Sequence, residues 1–422
     1  MSTDEQTDAN PPPDQTGQAG LVPRINIEIF CDSPETAEMA QLATADRRMQ
    51  PAHTTVHLGG IMGAFNAFQS KPTPNLLIVE SLGPKETILS ELGLLAEVCQ
   101  QDTKVVVIGQ LNDVLLYREL VGQGISEYLV APLQPVQFID AIAKIYTSPT
   151  AAPVGKAIAF IGAKGGVGSS SIAHNVGWAV ARQHGVETVI ADLDLAFGTA
   201  GLNFNQDLPA GLASVLAQPE RIDPTLVERM LVQAGEKLRL LGGPGGIDND
   251  FEINPPAVDA ILNAVRSTVP LLVLDLPAVW SPWVKYALLH SDQVVITTTP
   301  ELASLRNVKS MVDLLRAGRP NDPLPKIVLN QVGVPKRPEI SPADFSKVAG
   351  APITVVIPHD AQSFGTAQGN GNTIFEVAGK SKAAEAIKNL VLQLGWQAQE
   401  KQPEKVASKS PLLKWITQVR KN

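Results

Sequence analysis

Residues 158–175 read IAFIGAKGGVGSSSIAHN, and this stretch decides the fold. A β-rich run ends at Ile161, a glycine-rich turn follows, and three serines open an apolar segment with helical spacing. Strand, turn and helix in this order predict a phosphate-binding loop, because backbone N–H groups converge on an anion without an intervening Cβ and the helix N-terminus adds partial positive charge. The residues predicted to bind the nucleotide here are Gly162, Lys164, Gly165, Gly166, Val167, Gly168, Ser169, Ser170 and Ser171.

The lysines of this loop are unusual. The common pattern has lysine directly before the Mg²⁺-binding hydroxyl, here Ser170, but this chain has Ser169 at that place and carries Lys164 inside the loop. Lysine followed by Gly-Gly-Val-Gly resembles the deviant Walker A ATPases, the family that contains ParA, MinD and the nitrogenase iron protein. The resemblance implies ATP and Mg²⁺ as cofactors, and a homodimer in which Lys164 reaches across the nucleotide site to the partner's phosphates.

Ser169 departs from ParA and MinD, because the second lysine is missing. Loss of one charge-assisted phosphate contact costs about 1.5–3 kcal/mol. We therefore expect weakened ATP binding, and hydrolysis that is slow if it occurs.

Three aspartates follow two later strands. Asp192 is the last residue of the predicted strand TVIAD, Asp194 follows two residues later, and Asp275 ends the apolar run PLLVLD. The resemblance implies that Asp192 and Asp275 join Ser170 around Mg²⁺, whereas Asp194, with Lys164, serves catalysis by orienting the attacking water. Related proteins have glycine where this chain has Val279, which again predicts slow turnover.

Two later segments resemble the family's base-side loops. Asn330 follows the apolar run KIVL, where the family places an asparagine that binds adenine; an ordinary turn residue is the alternative. Pro358, His359 and Asp360 follow ITVVI at the second such loop. His359 has no acid or nucleophile placed to work with it, so we interpret it as nucleotide-side or structural rather than catalytic.

Composition limits the remaining choices. The chain has 422 residues, 44% of them hydrophobic, and a formal net charge of −8, which argues against broad nucleic-acid binding. Its two cysteines, Cys31 and Cys99, lack metal-ligand spacing, so an iron–sulfur reductase is excluded. No run approaches 18 apolar residues and no signal region begins the chain, which together predict a cytoplasmic protein.

Alternating β and α patterns before the loop predict a second α/β domain. Five strands alternate with five helices, as in a doubly wound domain of flavodoxin type with a parallel sheet. A helix is also predicted from Pro224 to Gln233. The predicted organisation is an acidic disordered tail (1–23), a receiver-like domain (24–147), a linker (148–155), the ATPase domain (156–395) and a basic amphipathic tail (396–422).

The first domain resembles a response-regulator receiver whose phosphorylation chemistry has been lost. A working receiver needs an acidic pair, a phosphorylatable Asp, a Ser/Thr and a Lys after successive strands. This chain has a lone Asp32, Glu80, Gly109 and Ala131 at those places. Either Glu80 imitates a phospho-aspartate, or the fold is retained for docking or dimerisation.

The final segment, PLLKWITQVRKN, places Leu412, Leu413, Ile416 and Val419 on one helical face with basic residues nearby. MinD ends in a comparable tail. Peripheral membrane contact, docking onto a partner protein and packing against the chain's own core all fit this pattern.

A degenerate receiver joined to a deviant Walker A domain resembles the CpaE/TadZ proteins of tight-adherence pilus systems. AKGGVGSSSIAHN, DLDLAFGTAGLNFNQDLPAGLA and LDLPAVWSPW carry this resemblance. It implies a localisation factor at a cell pole, with pilus secretion proteins as partners. Two alternatives stay open: an active positioning ATPase of the ParA or MinD kind acting on DNA or membrane, and a structural scaffold that does not hydrolyse ATP.

Overall fold

The computed structural model describes residues 22, 25–100, 102–146, 155–243 and 253–396. The chain forms two compact units: residues 1–153 with 316–323, and residues 154–315 with 324–422. Nearly all of the predicted acidic tail, linker and basic C-terminal tail lies outside the described residues. Within the described residues, no helix is both long and apolar enough to cross a membrane.

The first unit is a five-stranded parallel sheet in the order β2-β1-β3-β4-β5. This order confirms the predicted flavodoxin type. Its strands are β1 (Asn26–Cys31), β2 (His53–Leu58), β3 (Leu76–Glu80), β4 (Lys104–Gly109) and β5 (Glu127–Val130). Its helices are α1 (Pro34–Thr44), α2 (Gly60–Phe68), α3 (Lys85–Val98), α4 (Val114–Gly122) and α5 (Pro135–Tyr146).

The middle strand shows why this sequence forms a covered sheet. β3 reads LLIVE and every residue in it is buried, which suits a parallel strand with helices on both faces. Leu76 and Ile78 join the core under α1 and α5, whereas Leu77 and Val79 join the core under α2, α3 and α4. The period of two along the strand therefore supplies both faces of the sheet.

The second unit is an eight-stranded sheet in the order β13-β12-β11-β6-β10-β7-β9-β8. All neighbouring strands are parallel except β8, which runs antiparallel to β9. The strands are β6 (Lys156–Gly162), β7 (Thr188–Asp192), β8 (Val232–Gly235), β9 (Leu238–Leu241), β10 (Leu271–Leu276), β11 (Gln293–Thr298), β12 (Lys326–Val332) and β13 (Ile353–Pro358).

Helices cover both faces of this sheet. They are α6 (Ser169–Gln183), α7 (Ala200–Asn203), α8 (Leu212–Leu216), α9 (Pro224–Met230), α10 (Pro255–Arg266), α11 (Pro282–His290), α12 (Leu302–Gly318), α13 (Pro342–Ala349), α14 (Ala361–Gly369), α15 (Ile374–Ala378) and α16 (Lys382–Gln393); a 3₁₀ turn, Pro219–Arg221, precedes α9. Strands β6, β7, β10, β11, β12 and β13 end at one edge of the sheet because they are parallel, and this edge holds the candidate site.

The predicted helix from Pro224 to Gln233 is wrong at its C-terminal end. Asp223 caps the helix and Pro224 starts it, but the helix stops at Met230. Leu231 is extended, and the residues after it form β8, which pairs with β9. Apolar spacing could not reveal this end, because pairing across a hairpin depends on β9 rather than on the helix itself.

Candidate functional site

The glycine-rich turn connects β6 to α6 at the centre of the sheet. Gly166 and Gly168 have φ values of 78° and 89°, which only glycine adopts without strain. A Cβ on Gly168 would also lie 2.7 Å from Nδ2 of Asn330. Both the backbone conformation and the close neighbour therefore require glycine at position 168.

Amide side chains from later elements hold the carbonyl groups of this turn. Asn307 Nδ2 donates to the carbonyl of Ala163 at 2.8 Å, and Asn330 Nδ2 donates to that of Val167 at 2.8 Å. Gln331 Nε2 donates to the carbonyl of Gly166 at 3.1 Å. These bonds fix the peptide groups of the turn.

The N–H groups of the same turn are left free. Within the described residues, no hydrogen-bond acceptor faces the backbone N–H of Gly165, Gly166 or Gly168. The Ser169 hydroxyl is buried and also has no partner there. Ser170 and Ser171 lie in the first turn of α6. Free donors at a helix N-terminus form a ready site for an anion such as phosphate.

Lys164 forms an ion pair within its own subunit. Its Nζ lies 2.7 Å from Oε2 of Glu301, and Oε1 of Glu301 lies 3.5 Å from Nη1 of Arg337. The Lys164 and Glu301 side chains are 39% and 32% exposed. A pair this exposed contributes at most about 1 kcal/mol, so Lys164 can leave Glu301 at low cost.

Two aspartates and a histidine meet behind the turn. Asp192 and Asp275 are direct neighbours in the register of β7 and β10. His174 projects from α6, and its Nε2 lies 3.2 Å from Oδ2 of Asp275; these two side chains are only 2% and 3% exposed. The contact is close, but Nε2 does not form a well-aligned hydrogen bond. Oδ1 of Asp275 has no hydrogen-bond partner among the described residues.

Burial shapes the charge state of this cluster. Burial, followed by the charge of Asp275, raises the pKa of Asp192 to about 6. Burial alone would lower the pKa of His174, but its contact with Asp275 and the charge of Asp192 raise that pKa above its usual value. The three groups therefore act as one electrostatic unit.

Asp194 lies just beyond β7 in a tight turn. Its backbone N–H donates to Oδ1 of Asp192 at 3.1 Å, and its Oδ1 accepts the N–H of Phe197 at 3.0 Å. Oδ2 of Asp192 accepts the N–H of Ala200 at 3.0 Å. These bonds hold both carboxylates at the carboxyl edge of the sheet.

The predicted base-side residues lie at the same edge. Asn330 is buried near the end of β12, and its amide nitrogen is engaged with the glycine-rich turn. Pro358 ends β13, His359 is exposed, and its N–H donates to the carbonyl of Val332 at 2.8 Å. Asp360 caps α14 through the N–H of Ser363. Their contact with an adenine ring stays a prediction.

Large apolar side chains are exposed around the turn. Each of them is more than half exposed: Phe197, Leu202, Val279, Trp280 and Leu302. Val279 and Trp280 also line a cavity of about 430 Å³ with Met311 and Leu314, next to Gly162. All five follow strands that end at the site edge, so one face of the unit is unusually apolar.

Glu80, at the predicted position of a phosphorylatable aspartate in the first unit, makes structural contacts. Glu80 is 1% exposed. Its Oε2 accepts the N–H groups of Asp32 and Ser33 at 2.8 Å, and its Oε1 accepts the hydroxyls of Ser33 and Thr36 at 2.8 and 2.7 Å. The carboxylate is thus committed to the N-terminus of α1.

Sequence reasoning missed four residues of the site: Asn307, Glu301, Gln331 and His174. The first three come from segments that reach the turn only in the folded chain, whereas His174 lies in α6 and meets Asp275 of β10. One signal was available for His174, which lies four residues after Ser170 and therefore on the same helical face.

Comparisons with known proteins agree with this architecture. No family model matches the chain. The solved structure of the pilus assembly protein CpaE from Caulobacter crescentus is 48% identical and covers 31% of this chain and 98% of its own, with a TM-score of 0.30 over the whole molecule. A ParA family ATPase from Chlorobium tepidum is 25% identical, with a TM-score of 0.51, over 58% of this chain and 100% of its own. The septum site-determining protein MinD of Synechocystis is 27% identical over 210 residues, which are 47% of this chain and 73% of MinD.

The central strand, the glycine-rich turn and the carboxylates at neighbouring strand ends define a class of protein, the P-loop ATPases of the ParA and MinD type. The chain also shares sequence identity with the Caulobacter pilus assembly protein CpaE over almost all of that protein's length, which narrows this class to relatives of CpaE. The chain belongs to the CpaE/ParA–MinD family.

Proposed function

We propose that this protein is an ATP-binding localisation factor for pilus assembly, which forms a homodimer when ATP is bound and hydrolyses ATP slowly. One observation carries the proposal: in the part of the chain that the structure describes, the N–H groups of Gly165, Gly166 and Gly168 are free, and this turn lies at the same edge of the sheet as the buried pair Asp192 and Asp275. A solved relative is a pilus assembly protein and another is an ATPase, which supports both parts of the proposal.

The residues present fit a nucleotide and Mg²⁺. Free N–H groups and the unpartnered Ser169 hydroxyl suit phosphate oxygens. Ser170, Asp192 and Asp275 would hold Mg²⁺, whose preference is for oxygen ligands and water. When bound, Mg²⁺ neutralises charge on the phosphates. Asn330 and residues 358–360 would contact the adenine base of the nucleotide.

Slow hydrolysis follows from what the site lacks. Ser169 offers a hydroxyl where a lysine would place a positive charge, and Val279 replaces a glycine on the loop after β10. Asp194 keeps a carboxylate in position to orient a water molecule, although one oxygen already accepts the N–H of Phe197. The site should therefore bind ATP better than it turns ATP over.

The apolar face explains what dimerisation would bury. Leu302 and Trp280 flank the turn, and burying one large apolar side chain stabilises an interface by about 1.5–3 kcal/mol. Lys164 must exchange Glu301 for the partner's phosphates, and this exchange is cheap because the ion pair is exposed. ATP binding and dimerisation would then be one event.

The test is the mass of the purified full chain by light scattering without nucleotide, with ADP and with Mg²⁺·ATP, together with phosphate release. We expect an ATP-specific dimer with little phosphate released. Lys164→Ala should abolish the dimer, whereas Lys309→Ala, a surface lysine on α12 paired with Asp313, should not.

Other results would favour the alternatives. Brisk phosphate release would assign the protein to the cycling ATPases of the ParA or MinD kind. If the mass does not change with nucleotide and no ATP binds, the protein is a structural scaffold.

A further inference from the structure

We propose that His174, Asp192 and Asp275 form a binding site for a borderline divalent cation of the Zn²⁺ or Co²⁺ class in the nucleotide-free protein. Each residue offers one ligand atom, and these three atoms all lie within 4.8 Å of one another. They come from α6, β7 and β10, so one helix and two neighbouring strands of the sheet position them.

Unpartnered polar atoms are aimed into this cluster. Oδ1 of Asp275 has no hydrogen-bond partner among the described residues, and Nε2 of His174 lies 3.2 Å from Oδ2 of Asp275 without a well-aligned hydrogen bond; these side chains are 3% and 2% exposed. A buried polar atom without a partner costs about 1–3 kcal/mol. A cation between these atoms would remove that cost and would balance two buried carboxylates.

Asn203 prepares His174 to act as a ligand. Its amide lies 2.7 Å from Nδ1 of His174, and its Oδ1 is buried without a partner. Rotation of this amide by 180° exchanges its oxygen and nitrogen, so that Oδ1 accepts the Nδ1–H of His174. Nε2 then keeps its lone pair for a cation, as in other metal-binding histidines whose second nitrogen donates to an oxygen.

The ligand set selects the class of cation. Mg²⁺ demands oxygen ligands and retains water, whereas imidazole nitrogen suits Zn²⁺ and Co²⁺. One histidine and two carboxylates supply three protein ligands and leave a position open, which is the usual number in an accessible zinc site. A cavity of about 330 Å³, lined by Asp192, Gly198 and Leu202, reaches the cluster at Asp192.

This site shares Asp192 and Asp275 with the Mg²⁺ position of the proposed function. The two cations cannot occupy these carboxylates together. A consequence that rests on the proposed function is that Zn²⁺ excludes Mg²⁺·ATP and so keeps the protein in its monomeric form.

The test titrates the nucleotide-free full chain with CoCl₂, followed by the visible absorption of bound Co²⁺, and with ZnCl₂ in competition with a chromophoric chelator. We expect one equivalent to bind. His174→Ala should weaken binding on the order of tenfold or more. His53→Ala, which changes an exposed histidine on β2, should leave the affinity unchanged.

A second variant guards against misfolding. His174→Gln keeps a polar side chain at the buried position, and circular dichroism checks the fold of both variants. If Co²⁺ and Zn²⁺ do not bind, or bind equally well to correctly folded His174→Ala and His174→Gln, the proposal is overturned, and His174 is then an ion-pair partner of Asp275 alone.

A separate measurement distinguishes this proposal from the proposed function. Displacement of a fluorescent ATP analogue reports Mg²⁺·ATP binding directly. Zn²⁺ binding without any Mg²⁺·ATP binding would support the cation site and contradict the ATP-dependent factor; the reverse result would contradict only the cation site.

Discussion

At the scale of single residues, Glu80 is a buried carboxylate with a structural role. Its carboxylate accepts four hydrogen bonds and has almost no contact with solvent. Charge-assisted bonds of this kind are stronger than neutral ones, and their donors would be left unpaired if the acceptor were lost. The side chain is therefore a main support of the first unit.

We predict that Glu80→Ala destabilises the first unit by about 2–4 kcal/mol, because buried donors of Asp32 and Ser33 lose their acceptor. Glu80→Gln should cost clearly less, since its oxygen can still accept both N–H groups and its amide can donate to the hydroxyls of Ser33 and Thr36. Urea unfolding followed by circular dichroism measures both. Equal losses in the two variants would show that the hydrogen bonds do not carry the stability.

Lys156 provides a pH-dependent prediction. Burial lowers its pKa to about 8, while its Nζ donates to the carbonyl of Leu394. The folded state therefore binds fewer protons than the unfolded state between about pH 8 and the unfolded lysine pKa of about 10.4, so this group adds stability as the pH rises through that window. Below pH 8 the cost of burying the charge is fully present.

Lys156→Met should thus be more stable than the natural protein at pH 7 by about 1–3 kcal/mol, and the difference should shrink between pH 8 and 10. Urea unfolding at pH 7, 8, 9 and 10 measures it. Lys309→Met, on the exposed face of α12, is the control and should show no such trend. A difference that stays constant with pH would contradict the shifted pKa of Lys156.

Some residues of the site follow from local sequence, and others do not. Gly166 and Gly168 could be predicted because a turn between a strand and a helix needs their backbone freedom. The bond from Asn330 to Val167 could not, because 163 residues separate its partners. The contact of His174 with Asp275 likewise depends on β10 lying beside β6.

At the scale of elements, Gly109 and Tyr128 pack closely at the ends of two neighbouring strands in the first unit. Gly109 ends β4, and Tyr128 on β5 is buried beside it with its hydroxyl donating to the carbonyl of Leu111 at 3.0 Å. A Cβ on Gly109 would lie 2.4 Å from that hydroxyl oxygen. The tyrosine thus fills the space that a serine or threonine would need.

Gly109→Ala should therefore destabilise the first unit by about 1–3 kcal/mol through overpacking. Tyr128→Phe removes the nearest atom, so the double variant should lose less than the sum of the single losses. Gly93→Ala on α3 is the matched control, since its Cβ meets nothing within 4 Å, and it should stabilise by about 0.5–1 kcal/mol. Additive losses in the double variant would refute the clash; unfolding in urea measures all four proteins.

Element type was more predictable than element ends. The alternation of apolar and helical patterns gave all ten elements of the first unit, because each parallel strand is a short apolar run flanked by turns. The edge strand β8 was missed, since four residues paired with a neighbouring hairpin strand carry little apolar signal of their own.

At the scale of the whole molecule, each unit has its own two-sided core. The two clusters of the first unit draw only on residues before 147, and those of the second only on residues after 156. Sequence composition could predict two cores, because each domain carries its own alternation of strands and helices. Sequence composition could not predict the apolar face around Leu302, because no periodic pattern in the sequence indicates it.

This face gives a prediction about assembly. Leu302→Glu should weaken the ATP-dependent dimer at least tenfold, because a desolvated charge replaces an apolar contact, while ATP binding to the single subunit stays within about twofold. Light scattering across a concentration series measures the first effect, and displacement of a fluorescent ATP analogue measures the second.

Leu392→Glu is the control for this prediction, since Leu392 is also more than half exposed but lies on α16. Its dimer should match that of the natural protein. If Leu302→Glu dimerises normally, the apolar face around the turn is not the contact between subunits.

The long-range hydrogen bonds of the glycine-rich turn also determine when this turn can be completed during synthesis of the chain. A ribosome adds about 5–20 residues per second, so about 8–30 s pass between the synthesis of Val167 and that of Asn330, its partner. Throughout that interval the nascent turn lacks one of the hydrogen bonds that shape it. Strand β6 also cannot pair until its neighbours β10 and β11 have been synthesised. The glycine-rich turn therefore reaches its final shape only after the chain has been synthesised past Asn330, so the candidate site is completed late in translation.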